Sequence, residues 1–204
     1  AGAPLLEALV AMVNSGAVPL ILAYGSVGAS GDLVPLARMA RALRGEGEII
    51  LPSGEGRRNS PELLRSVGLE PLRLEAKEGL ALVNGTSFSL AITALALHSA
   101  EKMLTDLLFP LSATMLCIFG DSLQHLSARL YELKAHQGAV ATAGALRGWL
   151  EIEKPEESHG VPQPPYSARS ISLWLGVVSD HMSRSQSVVE TEMNGVDDNP
   201  LLFA

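Results

Sequence analysis

Long runs of apolar residues at helical spacing dominate the sequence. Such residues recur every three or four positions in Leu5–Val13, in Leu33–Leu43 and over long stretches from Thr86 onward, a period typical of amphipathic helices. Only 4% of the residues are aromatic and alanine is frequent, which suits close helix packing. We therefore predict a mainly α fold, a helical bundle to which helices of several subunits could contribute.

A segment punctuated by glycine and proline, residues 45–75, interrupts the helical pattern. Within it E-I-I-L-P and P-L-R-L-E each resemble a short strand, and S-P-E-L-L-R-S-V-G resembles a short capped helix that ends at Gly68. We expect this segment to form a small α/β lobe on the helical body. Further helices are expected at residues 112–133, 139–152 and 173–193, the first of them after a break or kink at Pro110.

Charge and cysteine content exclude several classes of protein. The chain has 15 basic and 22 acidic residues, a formal net charge of −7, and so lacks a surface that would neutralise many phosphates or hold an anionic membrane. Its single cysteine, Cys117, rules out an intrachain disulfide framework. The longest apolar stretch, Leu107–Phe119, is shorter than the roughly 20 residues of a spanning helix. We expect a cytoplasmic protein without a nucleic-acid or membrane partner.

Two common kinds of active site have no support in the sequence. The five histidines are scattered, with no pair four residues apart and no cysteine companion, so no metal site is predicted. The sequence has no G-x-S-x-G elbow, and a hydrolase triad is therefore not predicted either.

The most unusual local feature is G-S-V-G-A-S-G-D-L, Gly25–Leu33, placed directly before an amphipathic helix. One interpretation is a helix-capping turn in which Ser30 or Asp32 supplies the capping oxygen. A second is a phosphate cradle at a helix N-terminus, although no lysine follows as in a P-loop and the spacing is not G-x-G-x-x-G.

A third interpretation of this turn is covalent. In a compressed turn the amide nitrogen of Gly31, which carries no side chain, can attack the carbonyl carbon of Ala29 and close a five-membered ring. Loss of one water from the ring and one from Ser30 leaves a conjugated exocyclic methylene. Such a group is a strong electrophile, and the following helix N-terminus would stabilise negative charge that develops on it.

The longer segment G-S-V-G-A-S-G-D-L-V-P-L-A resembles the signature of the histidine and aromatic amino acid ammonia-lyase family. In that family Ala-Ser-Gly becomes 4-methylidene-imidazol-5-one (MIO). Three more motifs follow in the family's order: N-G-T at Asn84–Thr86, Q-P-P-Y-S-A-R at Gln163–Arg169 and E-M-N-G-V-D-D-N-P-L at Glu192–Leu201. Family proteins are well over twice this length. The resemblance implies one core domain, residues 1–204, that lacks the family's N-terminal lid and C-terminal helical parts.

The resemblance also assigns roles to individual residues. It implies that MIO forms autocatalytically from Ala29-Ser30-Gly31, with no metal or diffusible cofactor. Asn84 would contact the substrate or the oxygen of the prosthetic group, Gln163 would line the pocket and Tyr166 would orient groups at the MIO. Arg169 would hold the amino acid carboxylate through its planar fork. Each also has an ordinary interpretation: Asn84 as a turn residue, Tyr166 as a packing residue and Arg169 as a solvated or salt-bridged cation.

Two of the motifs leave local questions open. The family pattern Q-D-x-Y-S-x-R-C-x-P-Q is here Q-P-P-Y-S-A-R-S-I-S-L, so Pro164 replaces an acid and the hydrogen bonding of this loop is expected to differ. The last motif contains a polar cluster that is either an Asx-rich helix cap or, by resemblance, places Asn199-Pro200 near the active-site floor. The cluster comprises Glu192, Asn194, Asp197, Asp198 and Asn199.

The implied reaction is elimination of ammonia from an aromatic L-amino acid, phenylalanine or tyrosine, or from histidine, to give the α,β-unsaturated acid. The family's base is a tyrosine on a mobile N-terminal loop, and the sequence has no matching segment. The resemblance further implies a homotetramer and a small-molecule amino acid substrate. Two alternatives stay open: an aminomutase, which re-adds ammonia at the β-carbon, and a truncated, non-catalytic helical scaffold that oligomerises.

Overall fold

A computed structural model describes residues 2–25, 31–119, 124–134, 136–150, 163–197 and 200–201 of the chain. It divides into two compact units: unit 1 is Ala1–Ile92 with Glu192–Ala204, and unit 2 is Thr93–Thr191. Both boundaries fall inside long helices. The described residues are mostly helical, so the predicted fold class is confirmed.

Unit 1 packs short helices and a small antiparallel sheet around one apolar core. The strands lie in the order β1-β2-β3, and Ile49 of the central strand pairs with Pro19 on one side and Arg57 on the other. The core is centred on Leu5, Leu43 and Leu64. In chain order the elements are α1 (Ala3–Ser15), β1 (Val18–Pro19), α2 (Leu33–Leu43), β2 (Glu48–Ile50), β3 (Gly56–Arg58), α3 (Pro61–Ser66) and α4 (Glu78–Val83).

The small lobe follows the sequence prediction in part. The E-I-I strand forms, and the capped helix forms as α3, where the Ser60 hydroxyl accepts a hydrogen bond from the Leu63 amide at 3.1 Å. The predicted strand P-L-R-L-E does not form. The Leu72 amide instead donates to the Leu43 carbonyl at the end of α2, at 2.8 Å, and Ile49 already has partners on both sides. The segment is therefore fixed to a helix end and not to the sheet.

Unit 2 is helical in its described part, with a core that includes Leu126, Ala143 and Leu146. Helix α7 approaches α9 closely at Gly138, where an added Cβ would collide with the carbonyl oxygen of Gly176. The Gly138 amide donates to the Asp180 carboxylate at 2.8 Å, which satisfies a free donor at the start of α7. The elements are α5 (Ser87–Phe119), a 3₁₀ turn (Gln124–Leu126), α6 (Ala128–Glu132), α7 (Gln137–Leu150), α8 (Tyr166–Arg169) and α9 (Ile171–Met193).

The predicted break at Pro110 is wrong, because α5 continues through this residue to Phe119, whereas a kink, the alternative, stays a prediction. A proline removes one backbone hydrogen bond from a helix, and here the helix is regular for many residues on both sides. The hydroxyl of Ser112 donates to the Leu108 carbonyl at 2.7 Å, and that of Thr114 donates to the Pro110 carbonyl at 2.8 Å. The helix predicted over residues 112–133 is therefore the end of α5, the 3₁₀ turn and α6.

One described segment, Glu78–Phe119, is long and apolar enough to cross a membrane by length and composition alone. The expectation that no apolar stretch reaches this length is therefore wrong by that criterion. Length and composition do not distinguish a spanning helix from the central helix of a bundle.

Candidate active site

Gly31 lies against the loop that carries Asn84. A Cβ added at Gly31, whose φ is +85°, would lie 2.8 Å from the carbonyl oxygen of Gly85. The Asp32 amide donates to that same carbonyl at 3.0 Å. The structure thus brings the end of the Ala-Ser-Gly motif together with the Asn-Gly-Thr motif. Ala29 and Ser30 lie outside the described residues.

Asp32 caps a helix, but not the one that the local sequence indicates. It occupies the N-cap position of α2, yet its side chain makes no capping hydrogen bond there. The buried carboxylate instead accepts hydrogen bonds from the amide and the hydroxyl of Ser89, each at 2.7 Å. Ser89 lies in the first turn of α5, so the prediction that Asp32 supplies the side-chain cap of α2 is wrong. The residue ties the Gly-rich turn to α5, and Ser30, its alternative, lies outside the described residues.

Asn84 ends α4, as expected of a turn residue. Its amide donates to the Leu80 carbonyl at 2.9 Å, and the loop that follows leads directly into α5. The start of α4 is fixed by Glu78, a buried residue whose carboxylate accepts hydrogen bonds from the Glu75 amide at 2.9 Å and the Gly2 amide at 2.8 Å. These two amide donors, in that order of effect, hold the pKa of the Glu78 carboxyl below its ordinary range.

The lowered pKa of Glu78 predicts an acid-sensitive contribution to stability. A carboxyl whose pKa is lower folded than unfolded stabilises the protein above the unfolded value, about 4.3, and loses that contribution as the pH falls through the folded value. We expect Glu78→Gln to reduce the free energy of unfolding at neutral pH, and the difference from the wild type to shrink below about pH 4. Urea unfolding at several pH values measures this. Glu48→Gln, at an exposed site in β2, is the control, and a pH-independent difference for Glu78→Gln would contradict the assignment.

Tyr166 and Arg169 come together in unit 2. The one-turn helix α8 begins after Pro165, whose carbonyl accepts hydrogen bonds from the Ala168 and Arg169 amides at 3.0 Å. The guanidinium carbon of Arg169 lies 4.2 Å from the centre of the Tyr166 ring, a cation–π contact. Both residues thus share one face, as their spacing predicts. Gln163 is exposed, three residues before the start of α8.

Arg169 has the features of an anion-binding residue. Its Nε is buried and has no hydrogen-bond partner among the described residues. An unpartnered buried donor on a guanidinium is costly unless a ligand or water meets it. Tyr166 covers one face of the guanidinium, and the N–H donors of a guanidinium lie along its edge. Gly31 and Asn84 belong to unit 1, and Gln163, Tyr166 and Arg169 to unit 2.

A buried hydrogen-bond chain next to Arg169 was not predicted from the sequence. The Tyr131 hydroxyl donates to the His125 carbonyl at 3.1 Å and shares a hydrogen bond with the Ser172 hydroxyl. Ser172 is fully buried, and Tyr131 is 6% exposed. Burial, and then the charge of Arg169, lower the pKa of His125. Ser172 belongs to the S-I-S-L segment where the sequence departs from the family pattern, so this segment does have hydrogen bonds of its own.

We expect Tyr131→Phe to destabilise the protein by about 1–3 kcal/mol, because it leaves the His125 carbonyl and the buried Ser172 hydroxyl with fewer partners. Urea unfolding measures the difference. Tyr24→Phe is the matched control, since the Tyr24 side chain is 91% exposed and its loss should change stability by less than about 0.5 kcal/mol. Equal effects of the two substitutions would show that the buried chain contributes nothing.

One member of the polar cluster at the end of α9 has a hydrogen-bond partner at the start of another helix. The described members of the cluster are Glu192, Asn194 and Asp197. The Asp197 carboxylate accepts a hydrogen bond from the Thr86 amide at 2.6 Å. It therefore acts as a cap at the start of α5, far away in the sequence. Asp198 and Asn199 lie outside the described residues.

A model of the family described as aromatic amino acid lyase matches residues 2–204. The chain belongs to this family. It is 40% identical over 202 residues to a histidine ammonia-lyase of Paracidovorax citrulli (strain AAC00-1), a match that covers 98% of this chain and 39% of that protein. The family model and this relative each match nearly the whole of this chain, and the resemblance noted in the sequence is confirmed.

Solved structures of related proteins have the same fold. The histidine ammonia-lyase of Trypanosoma cruzi superposes with a TM-score of 0.81 at 30% identity, over 98% of this chain and 37% of that one. Pantoea agglomerans phenylalanine aminomutase gives a TM-score of 0.80 at 28% identity, over 97% of this chain and 41% of that one. The chain therefore spans about two fifths of the length of these relatives.

Proposed function

We propose that this chain is the core of a carbon–nitrogen lyase that eliminates ammonia from an α-amino acid by means of an MIO group formed from Ala29-Ser30-Gly31. The observation that carries the proposal is the contact of Gly31 with Gly85, the residue after Asn84, in a member of the aromatic amino acid lyase family. When formed, the MIO supplies an electrophile for the substrate amine, which no unmodified side chain provides.

The residues around Gly31 fit such a group. Ring closure needs an amide nitrogen without steric hindrance, and at position 31 a side chain is excluded by the Gly85 carbonyl, 2.8 Å from an added Cβ. The positive φ of Gly31 is also a conformation that only glycine adopts without strain. Asp32, the residue that follows Gly31, is held in place by its hydrogen bonds to Ser89. The backbone on the C-terminal side of the ring position is therefore fixed by packing before any chemistry occurs.

The side chains around the site have complementary tasks. Arg169 binds the substrate carboxylate through its fork of N–H donors, and the Tyr166 ring restricts the guanidinium by covering one of its faces. The side-chain amide of Asn84 can donate and accept hydrogen bonds at the same time. This suits a residue that would contact the substrate or the oxygen of the prosthetic group. Gln163 belongs to the same motif as Tyr166 and Arg169 and is assigned, by family resemblance, to the substrate pocket. These residues position the substrate, and positioning alone contributes substantially to the rate.

Histidine is the first substrate to test, because the relatives at 40% identity are histidine ammonia-lyases. Phenylalanine and tyrosine follow, since the structural relatives include a phenylalanine ammonia-lyase and a tyrosine aminomutase. The second candidate function, an aminomutase, is favoured by the match to Pantoea agglomerans phenylalanine aminomutase. A lyase releases ammonia and the unsaturated acid, whereas a mutase also yields the β-amino acid.

We further propose that the protein is a homo-oligomer, a tetramer by family resemblance. In unit 2 the long helices expose large apolar side chains in the single chain, among them Leu95 at 68%, Ile118 at 65% and Trp174 at 69%. Apolar surface of this extent on two helices is typical of a face that other helices cover.

Intact-mass measurement of the full protein tests the proposal directly. A species lighter than the encoded chain by two waters supports formation of the ring, and ammonia release from histidine, phenylalanine or tyrosine supports lyase activity. An unmodified mass together with no turnover would contradict the proposal and leave a helical scaffold without catalytic function.

A further inference from the structure

The carboxylates of Asp197 and Asp32 accept hydrogen bonds from two different residues at the start of α5. The Asp197 carboxylate accepts hydrogen bonds from the Thr86 amide at 2.6 Å and the Thr86 hydroxyl at 3.3 Å. Asp32 accepts from Ser89, three residues further along. The first amides of a helix have no partner within the helix, and its N-terminus favours negative charge. Neither carboxylate can therefore replace the other.

Gly85, the residue after Asn84, lies between these two carboxylate-bearing segments. On one side the Gly85 carbonyl accepts the Asp32 amide at 3.0 Å. On the other, the Asp197 Oδ2 is so close that a Cβ added at Gly85 would lie 2.7 Å from it. The loop after Asn84 cannot move toward either segment without a steric clash, and it cannot move away from Asp197 without breaking a charge-assisted hydrogen bond.

A second contact ties the opposite end of α4 to the same stretch of chain. The Lys77 ammonium donates to the Pro200 carbonyl at 2.7 Å. Lys77 immediately precedes α4, and Asn84 immediately follows it. Residues on both sides of the short helix are thus held by residues that follow α9, and α4 is fixed in rotation as well as in position.

We propose that Asp197 is a positioning residue that acts through Asn84. By holding Thr86 and Gly85, its carboxylate sets where the Asn84 side chain points relative to the backbone that continues from Gly31. Substrate contact by Asn84 rests on the proposed function, whereas restraint of the loop by Asp197 does not. In this proposal the carboxylate acts on the loop and not on the substrate, so its effect on catalysis is indirect.

A double-mutant cycle in the full protein tests the catalytic part. We expect Asp197→Ala to lower kcat/KM by about ten- to a hundredfold, the size of one charge-assisted hydrogen bond to a reacting site, with the two-water mass loss unchanged. Asp197→Asn retains an acceptor oxygen and should restore most of the activity. In an Asn84→Ala background, Asp197→Ala should cause no further loss, because coupled residues are non-additive. Additive losses, or a missing mass change in Asp197→Ala, would overturn the proposal.

Hydrogen–deuterium exchange tests the loop restraint without any need for activity. Asp197→Ala should raise the exchange rate of the Thr86 amide by about tenfold or more, since its acceptor is gone, and Asp197→Asn should raise it less. Glu55→Ala, which removes an exposed ion pair with Arg57, is the control and should leave this amide and the activity unchanged. Unchanged exchange in Asp197→Ala overturns the proposal even if no lyase activity exists, so its failure is distinct from failure of the proposed function.

Discussion

Replacing Gly31 by alanine is expected to abolish the mass loss of two waters and to lower turnover by about three orders of magnitude or more, the range seen when a covalent catalytic group is removed. The alanine Cβ would lie 2.8 Å from the Gly85 carbonyl oxygen, closer than packed atoms allow. It would also hinder the amide nitrogen that must attack the Ala29 carbonyl. Intact-mass spectrometry and ammonia release measure the two effects.

The same substitution at Gly47 separates steric exclusion from backbone strain. Both glycines have a positive φ, +85° at Gly31 and +76° at Gly47, but a Cβ at Gly47 meets no atom within 4 Å. Gly47→Ala should therefore cost about 1–2 kcal/mol of stability from strain alone and leave the ring and the turnover intact. Gly31→Ala should cost about 1–3 kcal/mol more from overpacking. A normal mass deficit in folded Gly31→Ala would contradict the proposed chemistry.

Local signals predicted the helices and their ends where the cause is local. Helix α2 covers Leu33–Leu43, as its apolar period indicates. Ser60 caps α3 by accepting a hydrogen bond from an amide only three residues further along the chain, so the cap depends on no distant residue. The predicted break at Pro110 did not form, because a long helix on both sides outweighs one lost hydrogen bond. The predicted strand around Leu72 did not form either, because the Leu72 amide donates to the carbonyl at the end of α2 and not to a neighbouring strand.

The contact between Gly31 and the Asn84 loop joins two motifs that the sequence singles out, but the residues that support this contact were not predictable. The motifs named Gly31 and Asn84, yet nothing in the sequence shows that Asp32 caps α5 and not the helix that follows it. A capping rule considers only residues a few positions apart. The contacts of Asp32 with Ser89 and of Asp197 with Thr86 join positions 57 and 111 residues apart. Such pairings depend on the folded chain, and the same holds for the hydrogen bond of Tyr131 with Ser172.

Arg169→Ala should lower kcat/KM for the preferred amino acid by about 10²–10³-fold, because loss of one partner of a desolvated charge pair costs about 2–5 kcal/mol. Its buried Nε has no hydrogen-bond partner among the described residues. A ligand carboxylate would supply the missing acceptor. Arg169→Lys keeps the charge but loses the planar fork and the stacking on Tyr166, so it should recover only part of the activity. Steady-state kinetics of the three proteins give these ratios.

Inhibition by a ligand that lacks a carboxylate tests whether Arg169 binds the carboxylate of the substrate. The amine that corresponds to the substrate after loss of its carboxylate should inhibit the wild type and Arg169→Ala about equally, because the interaction that the substitution removes is already absent. Arg184→Ala, at an exposed position on α9, removes the same charge elsewhere in unit 2 and should leave both kcat/KM and inhibition unchanged. If Arg169→Ala weakened binding of the amine as much as that of the amino acid, the residue would support the fold of α8 around Tyr166 and not the substrate carboxylate. A selective loss, confined to ligands that carry the carboxylate, is what a guanidinium with an unmet buried donor predicts.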